Sequence, residues 1–565
     1  MLQYGSTGKE MKMKALSVVF LLAAVVFSLS AVPFEKWQPS RTDLREKHPE
    51  ILIREPSRMI LKGMPGDNWY LFHQDRVKVP AERMLKLTLR AGGKGWAKFG
   101  FSAHAKNGTV GRPMKKIVLE DAVKTYVFEL AVPTGTRTIR LCVMIPPEAE
   151  IRIGSFTGEV TDKVADVLHV RAKTDRPQAI YQVGETACVT LTLLKGDTPL
   201  ENAEIRVQTM FDGIVQDVTA YRSHKGEPIA VKVRKETPGF VLLNGTVYDS
   251  RSGKALSGSI QLAGFGFSPE KIRKKGNAPE DLISYWKGEY AKLNAQVPPD
   301  FRLEEAGGNR DLLFYKLTCA NFGGTRTYAT IVRPRKEGRY PMIFTVPPAG
   351  NTVYQFSKTR NAVHVTISVF DREFPGGGDF VKFNQPLWYF YQGATSRSSY
   401  YYRKSILGVM RVMDYAMTQI REWDGKHLAA VGRSQGGGFA LIMTALNPAV
   451  RAVAADVPAL CDHNARPERR PGWPQLLDNP AAAAFGQDAP YFDAANFASF
   501  IKVPAVVSVG FIDTMCVPSS IYAALNNLKG PKKICPAPEY GHGWGDRGDE
   551  YDLAVKQLLK ETFSK

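Results

Sequence analysis

The stretch that decides the fold reads Val431-Gly432-Arg433-Ser434-Gln435-Gly436-Gly437-Gly438. A short apolar run of strand length, residues 427–431, leads into it, and residues 439–446 after it have the composition of a helix. Gly-x-Ser-x-Gly between a strand and a helix is typical of a nucleophile elbow, a tight turn that lifts the serine hydroxyl above a sheet. The residues around the serine must be small because backbone segments meet closely there. Since ordinary glycine-rich loops also carry this pattern, Ser434 is a candidate nucleophile that needs partners.

The candidate partners of Ser434 lie further along the chain. A serine hydroxyl is a poor nucleophile unless a base takes its proton and an acid orients that base. On such elbows the acid and then the base follow the serine in sequence. Asp513 and His542 each come soon after a predicted strand, whereas His463, the other histidine after Ser434, leaves little sheet between itself and the elbow. We therefore predict a catalytic triad of Ser434, Asp513 and His542.

An oxyanion hole should accompany this triad. One donor is expected to be the backbone N–H of Gln435, directly after the nucleophile, and the other should come from the loop after strand 342–346. That loop begins Pro347-Pro348-Ala349-Gly350. Because proline has no backbone N–H, the second donor is predicted to be Ala349 or Gly350.

Periodicity along the chain predicts three folded parts after a leader. Residues 31–162 contain alternating strands separated by Gly and Pro turns, which indicates a β-sandwich. Residues 163–265 contain further period-2 strands and fit an immunoglobulin-like sandwich that acts as a spacer or positioning module. In residues 266–565 helices alternate with apolar strands, which predicts an α/β domain with a mostly parallel sheet. The fold class is therefore α/β preceded by two all-β modules.

The first module contains aromatic residues that could bind carbohydrate. Trp69, Tyr70, Phe72 and Trp96 are the available rings. Aromatic residues of a β-sandwich more often belong to its core, so the core is the favoured interpretation.

The N-terminus carries a targeting pattern. Lys9, Lys12 and Lys14 precede an apolar run over residues 15–29, and small residues follow before Ala31. Residues 1–30 are therefore predicted to be a cleavable signal peptide, too short and lightly flanked for a stable membrane anchor. The expected location is periplasmic or extracellular.

The charge and cysteine content of the chain limit which partners and cofactors are expected. The 565 residues carry a formal charge of +20, but the basic residues are scattered and form no nucleic-acid recognition motif, so no nucleic-acid partner is predicted. The six cysteines show no Cys-x-x-Cys spacing, which indicates neither zinc nor a dense disulfide framework. A metal site of His542 with nearby acidic residues lacks a second histidine. We predict no cofactor and no metal.

Several segments beyond the elbow resemble carbohydrate esterase family seven, the acetyl xylan esterases and cephalosporin C deacetylases, within the α/β-hydrolase superfamily. The glutamine after the nucleophile and the Asp-x-x-Cys from Asp513 to Cys516 are more specific than the generic elbow. The resemblance covers roughly residues 279–560. It is carried by residues 317–325, Tyr400-Tyr401-Tyr402-Arg403, the elbow, and residues 455–462 and 510–519.

The resemblance implies a serine esterase that removes acetyl groups from sugars, prefers small acetylated substrates and often forms a homo-oligomer, a hexamer. Its nucleophile, acid and base fall on Ser434, Asp513 and His542, and its first oxyanion donor on Gln435. The family's His-Gly-Tyr loop is here Pro-Pro-Ala-Gly, and its Arg-Gly-Gln motif is replaced near residues 371–378.

Aromatic residues near the predicted site are candidates for walls of a sugar pocket. Trp388, Tyr389 and Trp544 are the predicted substrate-binding residues, although core packing is an equally good interpretation for most of these rings. Two rival functions remain: a secreted serine peptidase of the prolyl-oligopeptidase type, and a catalytically dead carbohydrate-binding protein.

Overall fold

The structure, a computed structural model, forms two compact units, Met1–Val167 and Leu168–Lys565. The predicted signal peptide, residues 1–30, lies outside the part of the chain that is described. The described residues are 36–39, 52–55, 57–64, 68–79, 83–105, 108–133, 136–164, 168–196, 198–350, 356–357, 359–373, 382–542 and 548–564.

The first unit is a β-sandwich of two antiparallel sheets. One sheet has the order β1-β4-β11-β7-β8, with β5 on β11 and β9 on β7, and the other has the order β10-β6-β12-β3-β2. The strands are β1 (Trp37–Pro39), β2 (Leu52–Glu55), β3 (Arg58–Lys62), β4 (Trp69–His73), β5 (Val77–Lys78), β6 (Arg83–Lys94), β7 (Trp96–Ala105), β8 (Gly108–Gly111), β9 (Met114–Val118), β10 (Lys124–Ala131), β11 (Thr138–Ile145) and β12 (Glu150–Val164).

Apolar side chains at every second position of the strands form the core of this sandwich. On β6, Leu85, Leu87 and Leu89 are buried because every second side chain of a strand points to the same face. The last strand, β12, continues to Val164, so the first module extends past the predicted boundary at residue 162.

Two of the aromatic residues considered for sugar binding in this module, Phe72 and Trp96, have a cation on a ring face. Phe72 is buried, and the Arg140 guanidinium lies 4.1 Å from its ring centroid. The Lys116 ammonium lies 4.3 Å from the ring of Trp96. These cation–π contacts occupy ring faces that a sugar would need for stacking.

The second unit joins the predicted immunoglobulin-like module to the predicted α/β domain. Its hydrophobic core runs without a break from Ala179 in the module to Leu528 near the C-terminus. The module's sheets have the orders β13-β15-β16, with β19 on β15, and β14-β21-β20-β17-β18. Its strands are β13 (Leu168–Thr174), β14 (Ile180–Tyr181), β15 (Thr186–Lys195), β16 (Thr198–Pro199), β17 (Ala203–Phe211), β18 (Ile214–Ser223), β19 (Ile229–Arg234), β20 (Gly239–Asp249) and β21 (Ile260–Phe267).

The α/β part contains a sheet of nine strands in the order β22-β23-β24-β26-β25-β27-β28-β29-β30. The first three pair antiparallel with their neighbours, and every pair from β26 to β30 is parallel. The strands are β22 (Arg302–Gly308), β23 (Leu312–Ala320), β24 (Arg326–Pro334), β25 (Tyr340–Val346), β26 (Val363–Ile367), β27 (Trp423–Arg433), β28 (Ala452–Asp456), β29 (Ala505–Gly510) and β30 (Lys532–Ala537).

Helices connect these strands, as an α/β architecture requires. The α-helices are α1 (Leu282–Gln296), α2 (Tyr401–Gln419), α3 (Gln435–Leu446), α4 (Ala494–Phe497), α5 (Pro518–Leu525) and α6 (Gly548–Phe563). Short 3₁₀ helices span Pro269–Lys271, Phe322–Gly324, Tyr389–Tyr391, Leu476–Asp478, Pro480–Phe485, Ala489–Phe492 and Ala498–Phe500.

This strand order, with the nucleophile turn between a parallel strand and a helix, is the α/β-hydrolase fold, and the predicted fold class is confirmed. All six cysteines lie within the described residues, and each is a free thiol. Among the helices in the described ranges, none combines the length and the apolar character needed to cross a bilayer.

Candidate active site

The turn between β27 and α3 holds Ser434 in a strained conformation. Its φ is 54° and its ψ is −121°, a region that a residue with a Cβ rarely adopts. A Cβ on Gly432 would lie 2.0 Å from the carbonyl oxygen of Gly436, and one on Gly436 would lie 1.8 Å from that of Val346. Both glycines are therefore required by backbone contact, as the elbow pattern predicts.

The structure brings together the three residues of the predicted triad. Nε2 of His542 lies 2.9 Å from Oγ of Ser434, and Nδ1 lies 2.8 Å from Oδ2 of Asp513. Each residue sits at the carboxyl end of its strand, where parallel strands collect loops at one edge of a sheet. The imidazole can therefore accept the serine proton at Nε2 while Nδ1–H donates to the carboxylate.

Asp513 is held in one orientation by its own loop. Its side chain is fully buried, and Oδ1 accepts the backbone N–H groups of Met515 at 2.8 Å and Cys516 at 2.9 Å. Oδ2 is left to face His542. The two N–H donors fix the plane of the carboxyl group, so that Oδ2 stays within hydrogen-bonding distance of the imidazole.

Arg433, the residue before the nucleophile, supports the backbone of the histidine loop. One nitrogen of its guanidinium lies 2.5 Å from Asp456, and the other donates to the backbone carbonyl of His542 at 2.7 Å. The Ser508 hydroxyl donates to the other oxygen of Asp456. Arg433 and Asp456 are both buried, so this ion pair ties β27, β28 and β29 to the histidine loop.

Replacing Arg433 by methionine should weaken both stability and catalysis. The Asp456 carboxylate would stay buried without its cation, which costs about 3–5 kcal/mol of unfolding free energy. Loss of the bond to the His542 carbonyl should reduce kcat by about 10²-fold, the usual effect of a displacement near 1 Å. Denaturant unfolding and ester hydrolysis measure the two effects.

The double variant Arg433→Met with Asp456→Asn separates the two effects. It should recover much of the stability, because no buried charge remains unpaired, but not kcat. Arg333→Met is the matched control, since Arg333 pairs with Glu422 at 3.0 Å, at the opposite end of β27. Full activity in the double variant would contradict a positioning role for Arg433.

The side chain after the nucleophile is clamped by two tyrosines. Gln435 is fully buried, and its Oε1 accepts the hydroxyls of Tyr389 at 2.5 Å and Tyr402 at 2.7 Å. This clamp fixes the start of α3, where the backbone N–H of Gln435 is the predicted oxyanion donor. The contact of Gly436 with Val346 places the loop after β25 beside this helix start.

The second oxyanion donor stays a prediction, with Ala349 and Gly350 as its two candidates. Ala349 is half-buried against the core, whereas Gly350 is exposed and has a φ of 78°. Either N–H remains a prediction.

Of the three predicted substrate-binding residues, one requires correction. Tyr389 is 1% exposed and its hydroxyl donates to Oε1 of Gln435, so its side chain is packed in the core and offers no surface to a sugar. Trp388 is 52% exposed and remains a candidate. Trp544 lies outside the described residues.

His463 is unsuited to act as the base. Burial lowers its pKa to about 4, and its backbone N–H is held by the Asp493 carboxylate. One group of possible metal ligands occurs in the described part of the chain, and it consists of Asp513, Cys516 and His542. Two of these three already bond to each other within the triad.

Sequence reasoning missed the supporting residues around the triad. Arg433 lies inside the elbow motif, and Tyr402 lies in the Tyr400-Tyr401-Tyr402 run. Neither pattern indicates which residue the side chain contacts. Their partners, His542 and Gln435, are distant in sequence or belong to another element.

Comparisons with known proteins find acetyl esterases similar to this chain. The family model for acetyl xylan esterase (AXE1) matches residues 269–467 and 482–552, which contain all three triad residues. Acetyl esterase Axe7A of Xylanibacter ruminicola is 27% identical over 315 residues, covering 52% of this chain and 71% of that protein.

Two of the similar solved structures are of proteins named acetyl xylan esterase. Acetyl xylan esterase 1 from Thermoanaerobacterium sp. JW/SL YS485 is 22% identical, with a TM-score of 0.45, over 52% of this chain and 98% of that one. The acetyl xylan esterase from Paenibacillus sp. R4 is 21% identical, with a TM-score of 0.45 and the same coverage of each chain.

Proposed function

We propose a serine-based deacetylation of carbohydrates for this chain, whose C-terminal part belongs to the acetyl xylan esterase family and makes it a carboxylic ester hydrolase. The observation that carries the proposal is the continuous hydrogen-bonded row from Asp513 through His542 to Ser434. The proposed reaction uses Ser434 as nucleophile, an acetylated sugar as substrate and an acetyl-enzyme as intermediate.

In the first half-reaction, Oγ of Ser434 attacks the acetyl carbonyl carbon while its proton passes to Nε2 of His542. Asp513 stabilises the imidazolium through Oδ2. The carbonyl oxygen becomes an oxyanion, which the N–H of Gln435 and that of Ala349 or Gly350 stabilise. The bond to the sugar oxygen then breaks, and that oxygen takes the proton from Nε2.

In the second half-reaction, water replaces the sugar. His542 takes a proton from the water as its oxygen attacks the acetyl-enzyme carbonyl. The second tetrahedral intermediate collapses by breaking the bond to Oγ, which recovers the proton. Acetate leaves, and Ser434 returns to its starting state.

Trp388 is the residue that we assign to the sugar. Its ring stacks on Phe390 with centroids 5.7 Å apart, and Phe390 contacts Trp473 at 4.7 Å. The backbone N–H of Trp473 donates to the backbone carbonyl of Met515, and the backbone N–H of Met515 donates to Oδ1 of Asp513. This row of contacts connects an exposed indole face to the acid of the triad, and such faces bind the apolar side of pyranose rings.

The proposal is tested with acetylated xylo-oligosaccharides, acetylated pectin fragments and a peptide panel. We expect acetate release from the sugars and no peptide cleavage. Trp388→Ala should raise KM for the oligosaccharides by about 2–10-fold, the value of one aromatic contact, and leave KM for 4-nitrophenyl acetate unchanged.

Other outcomes point to the rival functions. Peptide cleavage without acetate release would indicate a serine peptidase, and sugar retention without turnover would indicate a binding protein. Secretion through residues 1–30, a periplasmic or extracellular location and a homo-oligomeric state are further parts of the proposal. N-terminal sequencing of the mature protein and its mass in solution measure them.

A further inference from the structure

We infer that the immunoglobulin-like module, β13 to β21, is part of the catalytic unit and positions the acid of the triad. The segment concerned is the acid loop, residues 511–513, which follows β29 and ends in Asp513. This inference rests on the proposed role of Asp513. It concerns residues that precede the segment matched by the family model, which begins at residue 269.

The closest contact is between two backbones. Gly264 in β21 is buried, and a Cβ at this position would lie 2.3 Å from the carbonyl oxygen of Phe511 and 2.5 Å from its carbonyl carbon. Its backbone has no positive φ, so conformational freedom is not what requires a glycine here. The glycine is required because the acid loop lies directly against the strand.

An aromatic contact seals the same junction. The ring of Phe240 in β20 lies 4.9 Å from that of Phe511 and 5.3 Å from that of Tyr522 in α5. All three rings are buried. The module therefore covers apolar surface beside the acid loop that would otherwise face water, and this burial stabilises the loop's position.

A polar side chain of the module reaches the next residue of the loop. Nε2 of Gln261 donates to the carbonyl of Ile512 at 3.1 Å. The N–H of Ile512 in turn donates to the carbonyl of Tyr540 at 3.2 Å. Gln261 thus holds the acid loop at the point where it joins the loop that carries His542.

The module also contacts the far side of the acid through the turn after β17. The carbonyl of Asp212 accepts the N–H of Arg470 at 2.9 Å. Three residues further along, the N–H of Trp473 donates to the carbonyl of Met515 at 3.2 Å. Since Met515 donates to Asp513, this path reaches the carboxylate from the opposite direction.

These contacts explain why the module and the hydrolase part share one core. Asp513 can orient His542 only if its loop is fixed to a fraction of an ångström, because misplacement weakens transition-state stabilisation steeply. The minimal active unit is accordingly residues 168–565, and the module is a positioning element instead of a spacer.

Gly264→Ala tests the inference with Gly258→Ala as its matched control. A Cβ at Gly258, in the same module, meets nothing within 4 Å. Gly264→Ala should push the acid loop away and lower kcat for 4-nitrophenyl acetate by about 10²-fold, with KM changing less than about 2-fold. Gly258→Ala should behave like the wild type.

A second readout separates this inference from the proposed function. Labelling of Ser434 by a fluorophosphonate probe reports nucleophile activation and needs no sugar. It should slow in Gly264→Ala in parallel with kcat. If the wild type reacts with the probe but hydrolyses no acetylated sugar, the proposed substrate is wrong and the inference stands.

A milder variant covers the case in which Gly264→Ala does not fold. Gln261→Met removes one exposed hydrogen bond, which should lower kcat about 3–5-fold and lower the melting temperature only slightly. Gln216→Met is its control, because Nε2 of Gln216 donates only within its own strand, to Ile214 at 3.3 Å. Unchanged kcat in folded Gly264→Ala, or in Gln261→Met where that variant alone folds, would overturn the inference.

Discussion

Ser434→Ala should lower kcat for acetyl esters by about 10⁵–10⁶-fold, the largest single loss that we expect in this protein. The hydroxyl that His542 activates at 2.9 Å is removed, and no acetyl-enzyme can form. Residual hydrolysis would come from the oxyanion donors and binding alone. Acetate release and stoichiometric probe labelling measure the effect, and turnover surviving in the variant would disprove the nucleophile assignment.

Ser434→Gly is the informative companion to the alanine variant. Both lack the nucleophile, but only glycine adopts φ 54° and ψ −121° without strain. Relief of that strain is worth about 1–3 kcal/mol, against about 0.5–1 kcal/mol for the extra freedom of glycine in the unfolded chain. The glycine variant should therefore resist denaturant better than the alanine variant. Equal stabilities would indicate that the elbow is not strained.

Asp513→Asn should lower kcat by about 10⁴-fold while leaving the fold intact. The backbone N–H groups of Met515 and Cys516 both donate to Oδ1, so the amide oxygen of the variant must occupy that position. Its NH₂ group then faces Nδ1 of His542 and donates to it. The histidine is forced to carry its proton on Nε2, where it can no longer accept one from Ser434.

The alanine variant of the same residue is the control for the tautomer effect. Asp513→Ala removes the acid without dictating which nitrogen carries the proton, so it should retain no less activity than the asparagine variant despite its larger cavity. Steady-state rates with 4-nitrophenyl acetate and melting temperatures compare the two. An asparagine variant clearly more active than the alanine variant would contradict the tautomer mechanism.

Much of the site was predictable because the chemistry follows strand ends. Ser434 and Asp513 come after apolar runs that proved to be β27 and β29, and His542 follows β30. In a parallel sheet these ends meet at one edge, so order along the chain is enough to predict proximity. The glutamine after the nucleophile, shared with a known family, then indicated an acetyl esterase.

The errors came from residues whose surroundings are built by distant segments. Tyr389 and Trp388 are neighbouring aromatic residues, yet Tyr389 is buried against Gln435 and Trp388 is exposed. A 3₁₀ turn at these positions gives no periodicity from which the buried side could be read.

By itself the sequence determined the fold class, the elbow and the order of the triad, since local spacing and strand periodicity specify them. Only the tertiary structure decided that Arg433 holds His542, that two tyrosines clamp Gln435, and that Gly264 supports the acid loop. Each of these contacts joins segments from separate elements. Their side chains meet only after the sheet and the module have packed, and no local pattern records which surfaces packing will bring together.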